Sequence, residues 1–253
     1  MKKVTTQRLV RFNAIMSLLH AVQAGLILVL SKSFSLPISG SFLKFNESTQ
    51  NLDPASKVLF NLSLPALIFS FFVLSSLAHL FIATVYKDKY QHDLNKGINK
   101  VRWIEYSFSA SIMIVAISLL VGIYDLGSLI MLFGLTAVMN LCGLVMEVHN
   151  QTTQKTNWLS YYVGCIAGAI PWVVIALYLA LGASDGSKAP AFVYWIFVSI
   201  FLFFNCFAVN MVLQYKKIGP WKNYLYGERA YIILSLVAKS LLAWQVFAGT
   251  LRP

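Results

Sequence analysis

The 253-residue sequence contains little charge, and acidic residues are especially scarce. Only 11% of its residues are charged, with 9 Asp and Glu against 20 Lys and Arg. Apolar residues make up 58% of the chain, and the mean hydropathy is +0.70, which excludes an ordinary soluble protein. The net charge of +11 does not indicate nucleic-acid binding, because the basic residues lie in short gaps between apolar stretches. The sequence therefore indicates an integral membrane protein, with the lipid bilayer as its surroundings.

Cysteine and long polar segments are also scarce. The three cysteines, Cys142, Cys165 and Cys206, lie within apolar stretches, where cysteine usually acts as a small hydrophobic residue. No predicted helix carries His, Cys and Asp at metal-ligand spacing, so we expect no metal site. No linker, repeat or polar segment is long enough to fold separately, and we expect one domain covering residues 1–253.

Seven apolar stretches are long enough to span a bilayer, since about 20 residues cross a hydrocarbon core of ~30 Å. They predict an all-α bundle of seven transmembrane helices at residues 9–30, 57–86, 101–123, 126–148, 157–182, 190–215 and 224–250. The first stretch lacks a small-x-small cleavage site and is expected to be a retained helix. The long gap at residues 31–56 is rich in Ser, Asn, Pro and Gly, which predicts an irregular or short β segment on the outer face.

The distribution of basic residues predicts the orientation of the bundle. Fourteen of the 20 Lys and Arg residues lie on one side of the membrane, in the N-terminal segment and in the connections after the second, fourth and sixth stretches. Five lie on the other side, and Lys239 lies within a span. Cytoplasmic loops carry the excess of Lys and Arg. The N-terminus, with Lys2, Lys3, Arg8 and Arg11, is therefore expected to be cytoplasmic and the C-terminus extracellular.

Lys239 stands in the middle of the seventh apolar stretch, ten residues after Arg229. A charged lysine at the bilayer centre costs ~2.5 to 3.5 kcal/mol even on lenient insertion scales, so such residues usually face the bundle interior and serve a function. One alternative is an ion pair that only holds helices together. The other is a nucleophilic amine that condenses with an aldehyde, since low polarity favours the uncharged form.

Glu105 is the main candidate for an anion beside Lys239. Asp125, Glu147 and Glu228 all lie near the ends of predicted helices. With a rise of 1.5 Å per residue, the Lys239 nitrogen is expected at a depth of ~9 Å, and Glu105 starts at ~5 Å and can reach inward. The alternative is an interfacial Glu105 that pairs with Arg102 one turn earlier.

Other polar and aromatic residues fall in the same half of the membrane. His20 and His79 are expected at depths of ~14 and ~10 Å, either as hydrogen-bonded core residues or as proton-handling groups. Ser75 and Ser235 precede His79 and Lys239 by one helical turn and share their faces. Aromatic residues are dense nearby and could form the walls of a long, flat pocket, with candidates Trp103, Trp172 and Phe204.

The motifs together resemble those of retinal-binding rhodopsins, and more narrowly the heliorhodopsins, whose N-terminus is cytoplasmic. The resemblance rests on Arg102-Trp103-Ile104-Glu105-Tyr106, on Ser75 with His79, on His20, and on the segment from Ser235 to Lys239, and it covers nearly the whole chain. It implies a rhodopsin-like fold, a homodimer and an all-trans retinal bound as a Schiff base to Lys239, with Glu105 as counterion. Ser75, Ser235, His20 and His79 would then surround the Schiff base.

The third apolar stretch indicates whether light could drive proton pumping. In an outward proton pump of the microbial rhodopsins, the acceptor carboxylate on the third helix is followed eleven residues later by a second carboxylate. Here Glu105 is at the acceptor position and Ala116 is at the second position. We therefore expect a sensory or regulatory photoreceptor without ion pumping and without enzymatic activity, acting on an unidentified cytoplasmic signalling partner. The alternatives are a light-driven proton pump or channel, and a seven-helix transporter or receptor without retinal.

Overall fold

The computed structural model describes residues 4–253 and contains seven helices long and apolar enough to cross a membrane. The predicted all-α bundle of seven membrane helices is thereby confirmed, with 73% of the described residues helical. Its orientation remains a prediction, and Lys2 and Lys3, on which it partly rests, lie outside the described residues. The spanning helices are α1 (Thr6–Leu30), α2 (Leu64–Ala83), α4 (Lys100–Leu120), α5 (Leu126–His149), α6 (Leu159–Ser184), α7 (Ala191–Tyr215) and α8 (Tyr224–Val246).

Three shorter elements complete the helical part of the chain. Helix α3 (Lys87–Asn95) follows α2, a 3₁₀ turn (Gly219–Lys222) precedes α8, and a π-helical turn (Phe247–Leu251) continues α8. Tyr90 and Leu94 of α3 are buried and pack in a hydrophobic cluster with Leu9 of α1. Helix α3 is thus held against the end of the bundle.

The segment after α1 corrects one prediction. The expected irregular or short β segment is a two-stranded antiparallel hairpin, β1 (Ser35–Asn46) and β2 (Asn51–Ser63), and residues 57–63, predicted to begin the second helix, belong to β2. The second helix begins at Leu64 because the Ser63 side chain accepts a hydrogen bond from the Ala66 amide and Pro65 stands in the first turn. It also ends at Ala83, before the predicted 86.

The hairpin packs on the end of the bundle opposite α3. The Ser39 amide donates to the Tyr124 carbonyl at 2.9 Å, and Ile38 is fully buried in the main hydrophobic core. Asp125 begins α5 as its N-cap by accepting hydrogen bonds from the amide and hydroxyl of Ser128 at 2.9 and 3.0 Å. These bonds to the charged form lower the pKa of Asp125 below its usual value.

Helices α4 and α8 carry the central polar residues. Helix α4 packs against α2, α5 and α7, and α8 packs against α1 and α7. Within the most apolar window of α4, 61% of the residues are buried, the highest share among the seven spans. The inward faces of these two helices are therefore shielded from lipid by their neighbours.

Candidate functional site

Lys239 and Glu105 meet in the interior of the bundle. The Lys239 Nζ lies 3.2 Å from Glu105 Oε1, and the two side chains are only 4% and 8% exposed. Nζ also donates to the Ser235 hydroxyl at 2.8 Å, one turn earlier on α8. The Ser75 hydroxyl of α2 donates to Glu105 Oε1 at 2.6 Å. Helices α2, α4 and α8 thus each contribute a polar group to one buried ion pair.

The alternative pairing of Glu105 with Arg102 is wrong. Arg102 instead binds both Glu147 of α5 and Glu228 of α8. Both carboxylates are buried, so these two helix-end residues are not at the surface as their positions in the sequence indicated. Arg102 and Glu105 of α4 therefore belong to separate clusters, although they are three residues apart in the sequence.

The two histidines lie together between α1 and α2. The rings of His20 and His79 are stacked, with centroids 5.4 Å apart and planes within 7°. His79 Nδ1 lies 2.6 Å from the Asn13 side-chain oxygen. Within residues 4–253, no group lies within hydrogen-bonding distance of either His20 ring nitrogen. His79 and Glu105 line one small cavity, which places the stacked pair next to the ion pair.

The Lys239 amine opens into a small cavity beside a larger one. The small cavity, of about 40 Å³, is lined by Lys239, Ser235 and mostly apolar side chains. The larger one has a volume of about 250 Å³ and lies between α5, α6 and α7. The two share four lining residues, Met139, Asn140, Phe204 and Phe207. Side-chain movements of Met139 and the two phenylalanines would therefore join them.

The three predicted wall residues all line the larger cavity: Trp103, Trp172 and Phe204. The rings of Trp172 and Phe204 are 5.4 Å apart in an edge-to-face arrangement. The indole of Trp103 lies over Gly143 of α5, in space that a Cβ at that position would occupy. The arrangement forms a narrow apolar space flanked by aromatic rings, which suits a long, flat and apolar ligand.

A sequence model of the heliorhodopsin family matches residues 9–251. The chain belongs to the heliorhodopsin family. No curated protein matches it. The resemblance expected from the sequence is thereby confirmed, and heliorhodopsin membership supports a retinal-binding, rhodopsin-type photoreceptor that is a multi-pass protein of a cell membrane.

In this heliorhodopsin the structure brings together Lys239, Glu105, Ser75, Ser235 and the two histidines, and it places the three aromatic residues on the neighbouring cavity. Sequence reasoning missed Asn13, which contacts His79, and the buried pairing of Arg102 with Glu147 and Glu228. A periodic signal for Glu228 was present in the sequence. Glu228, Ser235 and Lys239 are spaced by seven and four residues, which places them on one face of a helix.

Proposed function

We propose that this heliorhodopsin is a sensory or regulatory photoreceptor in which Lys239 holds all-trans retinal and Glu105 is the counterion. The observation that carries this proposal is the ion pair between Lys239 and Glu105, with 3.2 Å between Nζ and Oε1, at the mouth of an apolar cavity. Retinal bound to the amine as a Schiff base would supply the light absorption and the isomerisation. The protein's own side chains would bind and orient the ligand, stabilise the positive charge and hold the proton.

The residues present fit such a ligand. Lys239 is the only lysine in the sequence that lies within the central part of an apolar span. Its amine lines the smaller cavity, and the larger cavity beyond it contains Trp172 and Phe204, whose faces and edges suit a conjugated chain. Met139, between the two cavities, has a flexible side chain that adapts to ligand shape. Binding of retinal would therefore require side-chain adjustments and no change of helix order.

Glu105 and its neighbours stabilise a positive charge at the Lys239 nitrogen. A carboxylate at 3.2 Å favours the protonated nitrogen. The Ser75 hydroxyl, 2.6 Å from Oε1, donates to that carboxylate and stabilises its negative charge. Ser235 fixes the position of Nζ from the opposite side. In the proposed photoreaction, a proton that leaves the Lys239 nitrogen would be held by Glu105 or by His79 beside it.

The absence of ion pumping is part of the proposal and rests on the carboxylates. The membrane spans contain Glu105, Glu147 and Glu228, and Arg102 binds the last two. Ala116 is fully buried, as are Ile117 and Leu119 near the same end of α4. Because the described membrane spans contain no carboxylate on that side of the ion pair, a proton leaving Lys239 has no acceptor chain across the membrane. We therefore propose that the proton stays inside the protein.

We further propose a single domain with a cytoplasmic N-terminus, an extracellular C-terminus, a homodimeric assembly and no enzymatic activity. The excess of basic residues on one side supports the orientation. The same basic face is where we expect a cytoplasmic signalling partner.

Colour formation tests the central claim. Full-length protein purified after expression with all-trans retinal should absorb visible light, and Lys239→Ala should stay colourless. Lys188→Ala, which changes an exposed lysine, is the matched control and should be as coloured as the wild type. A colourless wild type, or a coloured Lys239→Ala variant, would contradict the proposal.

Proton movement tests the claim of no pumping. Cells containing the coloured protein should show no sustained light-dependent change of external pH, with or without an uncoupler. A light-driven pH change that the uncoupler abolishes would instead favour the pump. The same measurement on Lys239→Ala cells gives the background.

A further inference from the structure

A chain of hydrogen bonds leads from the two histidines to the buried Arg102 cluster. His79 Nδ1 lies 2.6 Å from Asn13 Oδ1. The Asn13 side-chain amide donates to the Tyr90 hydroxyl at 3.2 Å, and that hydroxyl donates to Glu228 Oε1 at 3.2 Å. Glu228 in turn binds Arg102. Helices α1, α2, α3 and α8 each contribute one member to this chain.

The donor direction along the chain is fixed by its chemistry. The Asn13 amide nitrogen also lies 2.8 Å from the Leu9 carbonyl oxygen, which can only accept. The side-chain oxygen of Asn13 must therefore face His79, and His79 Nδ1 must carry a hydrogen. Every donor consequently points the same way, from His79 towards the Glu228 carboxylate. The second ring nitrogen of His79, Nε2, is left as the one that can accept a proton.

Tyr90 gives the chain a connection outside the membrane spans. It lies on the short helix α3 and is only 1% exposed. Burial and the nearby Glu228 carboxylate raise the pKa of Tyr90 well above its usual value, so its phenol remains a donor. Tyr86, the residue immediately before α3, donates instead to Asp93 of α3 at 2.8 Å. Tyr90 is thus directed to the interior, and Tyr86 serves as a natural comparison.

We propose that Asn13 and Tyr90 are positioning residues that connect His79 to the Glu228 carboxylate and to helix α3, so that a change of charge at either end alters the other. A positive charge on the His79 ring strengthens its donation to Asn13 and, through aligned dipoles, the donation from Tyr90 to Glu228. Because coupling between two sites is reciprocal, the carboxylate also stabilises a protonated His79. The light-dependent part rests on the proposed function, and the coupling itself does not.

Several other charged or titratable groups face the two ends. Around His79 these are His20 on α1, Glu105 on α4 and Lys239 on α8. Around Glu228 they are Arg102 on α4, Glu147 on α5, and Tyr224 on α8. The test must therefore change the connection and leave these groups in place. Tyr90→Phe does so, because it removes one oxygen and keeps the ring that packs against α1.

The first experiment reads the His79 ring directly by nitrogen NMR of the full-length chain labelled with ¹⁵N-histidine, without and with added retinal. His79→Gln assigns its signals among those of the four histidines. We expect neutral His79 to carry its hydrogen on Nδ1, and Asn13→Leu to lose that preference. In Tyr90→Phe the His79 titration should move to lower pH by about half a unit to one unit, the size of one hydrogen bond. Tyr86→Phe, the matched control, should titrate as the wild type does.

Hydrogen on Nε2 in the wild type overturns the proposal. So does a titration that is the same in Tyr90→Phe and Tyr86→Phe, or no titration in either. Because the retinal-free arm needs no chromophore, a protein that fails to become coloured would sink the proposed function and still leave this result standing.

The second experiment asks whether light uses the connection. Light-minus-dark infrared spectra of protein with isotope-labelled tyrosine should show a tyrosine band that is absent in Tyr90→Phe and retained in Tyr86→Phe. A coloured protein with no such band, or a band that persists in Tyr90→Phe, shows that the signal does not reach α3 by this route and overturns the proposal.

Discussion

The two buried charge clusters that include residues of α4 differ in their chemistry, although their α4 members, Arg102 and Glu105, are only three residues apart. In the Lys239 cluster one lysine faces one carboxylate, two serine hydroxyls bind the pair, and the Tyr106 ring centre lies 5.1 Å from Nζ. In the Arg102 cluster one guanidinium faces two carboxylates, which also accept from the Asn99 backbone and side-chain amides at 2.9 and 2.6 Å. The Arg102 guanidinium also lies 4.1 Å from the centre of the Tyr231 ring.

The difference teaches that burial of charge has two uses in one bundle. A guanidinium cannot lose its proton within a protein, so Arg102 stays positively charged, and its two ion pairs join α4 to α5 and α8. A lysine amine can exist uncharged and can form a covalent bond, so the Lys239 cluster is suited to chemistry. Breaking each cluster should therefore produce a different kind of defect.

The largest expected effect is on stability, from Arg102→Gln. Removing the guanidinium leaves two buried carboxylates without their cation, which should lower the free energy of unfolding by about 3–5 kcal/mol. Detergent-induced unfolding of the purified protein measures this. The control is Arg252→Gln, an exposed arginine near the C-terminus, and equal stability of the two variants would contradict the role of the cluster.

The next effect is spectral, from Glu105→Gln. Loss of the anion should move the visible band strongly to longer wavelength. The Schiff-base nitrogen on Lys239 should also lose its proton at a pH lower than in the wild type by roughly one to three units, because a nearby negative charge no longer stabilises its protonated form. Absorption spectra across pH measure both changes. Glu147→Gln changes a carboxylate of the other cluster, and a spectral shift as large as that of Glu105→Gln would argue against Glu105 as the counterion.

A smaller effect is expected from Ser75→Ala. Without the hydroxyl at 2.6 Å, the Glu105 carboxylate loses a donor, and its negative charge acts more strongly on the protonated nitrogen. The visible band should therefore move slightly to shorter wavelength, opposite in direction to the shift in Glu105→Gln and smaller. Absorption spectra at neutral pH measure it. Ser70→Ala is the matched control, since that hydroxyl donates within α2 to the Leu67 carbonyl. If the two variants have the same spectrum, Ser75 does not support the counterion.

The smallest effect concerns a carboxylate outside both clusters. Asp125→Ala removes the N-cap of α5 and should cost about 1 kcal/mol at neutral pH. Because hydrogen bonds from Ser128 lower the pKa of Asp125, its contribution should be present above the unfolded-state value and lost as pH falls through the lower folded-state value. Thermal unfolding of the wild type and the variant across acidic pH tests this, with the exposed Asp185→Ala as control. A difference that persists at low pH would contradict the titration.

Much of the fold was predictable because membrane spans obey simple rules of length and polarity. The extent of the hairpin was not, because Val58, Leu59, Phe60 and Leu62 form an apolar run that hydropathy alone cannot distinguish from a helix. Only backbone pairing with β1 separates the two, and the partners of these residues lie 19 to 26 residues earlier in the chain. The cap at Ser63 with Pro65 was a local signal that could have moved the boundary.

The candidate site divides in the same way. The pairing of Lys239 with Glu105 follows from depth along two helices, which needs only the rise per residue and the lean of side chains. The Arg102 cluster was missed because a position near a helix end was equated with the surface. Loop packing decides that point, and here α3 and the start of α8 cover the cluster with Tyr90 and Tyr224. Binding of retinal by the aromatic residues remains a prediction.

The closeness of Trp103 to Gly143 has a consequence for the larger cavity. The indole occupies the position where any other residue at 143 would carry its Cβ. The close approach of α4 and α5 there therefore depends on a glycine at this position. In Gly143→Ala the added methyl group would overlap the Trp103 indole, so the indole, which lines the larger cavity, or the two helices would have to move. The absence of a side chain at Gly143 thus helps to set the width of the ligand that the larger cavity can hold.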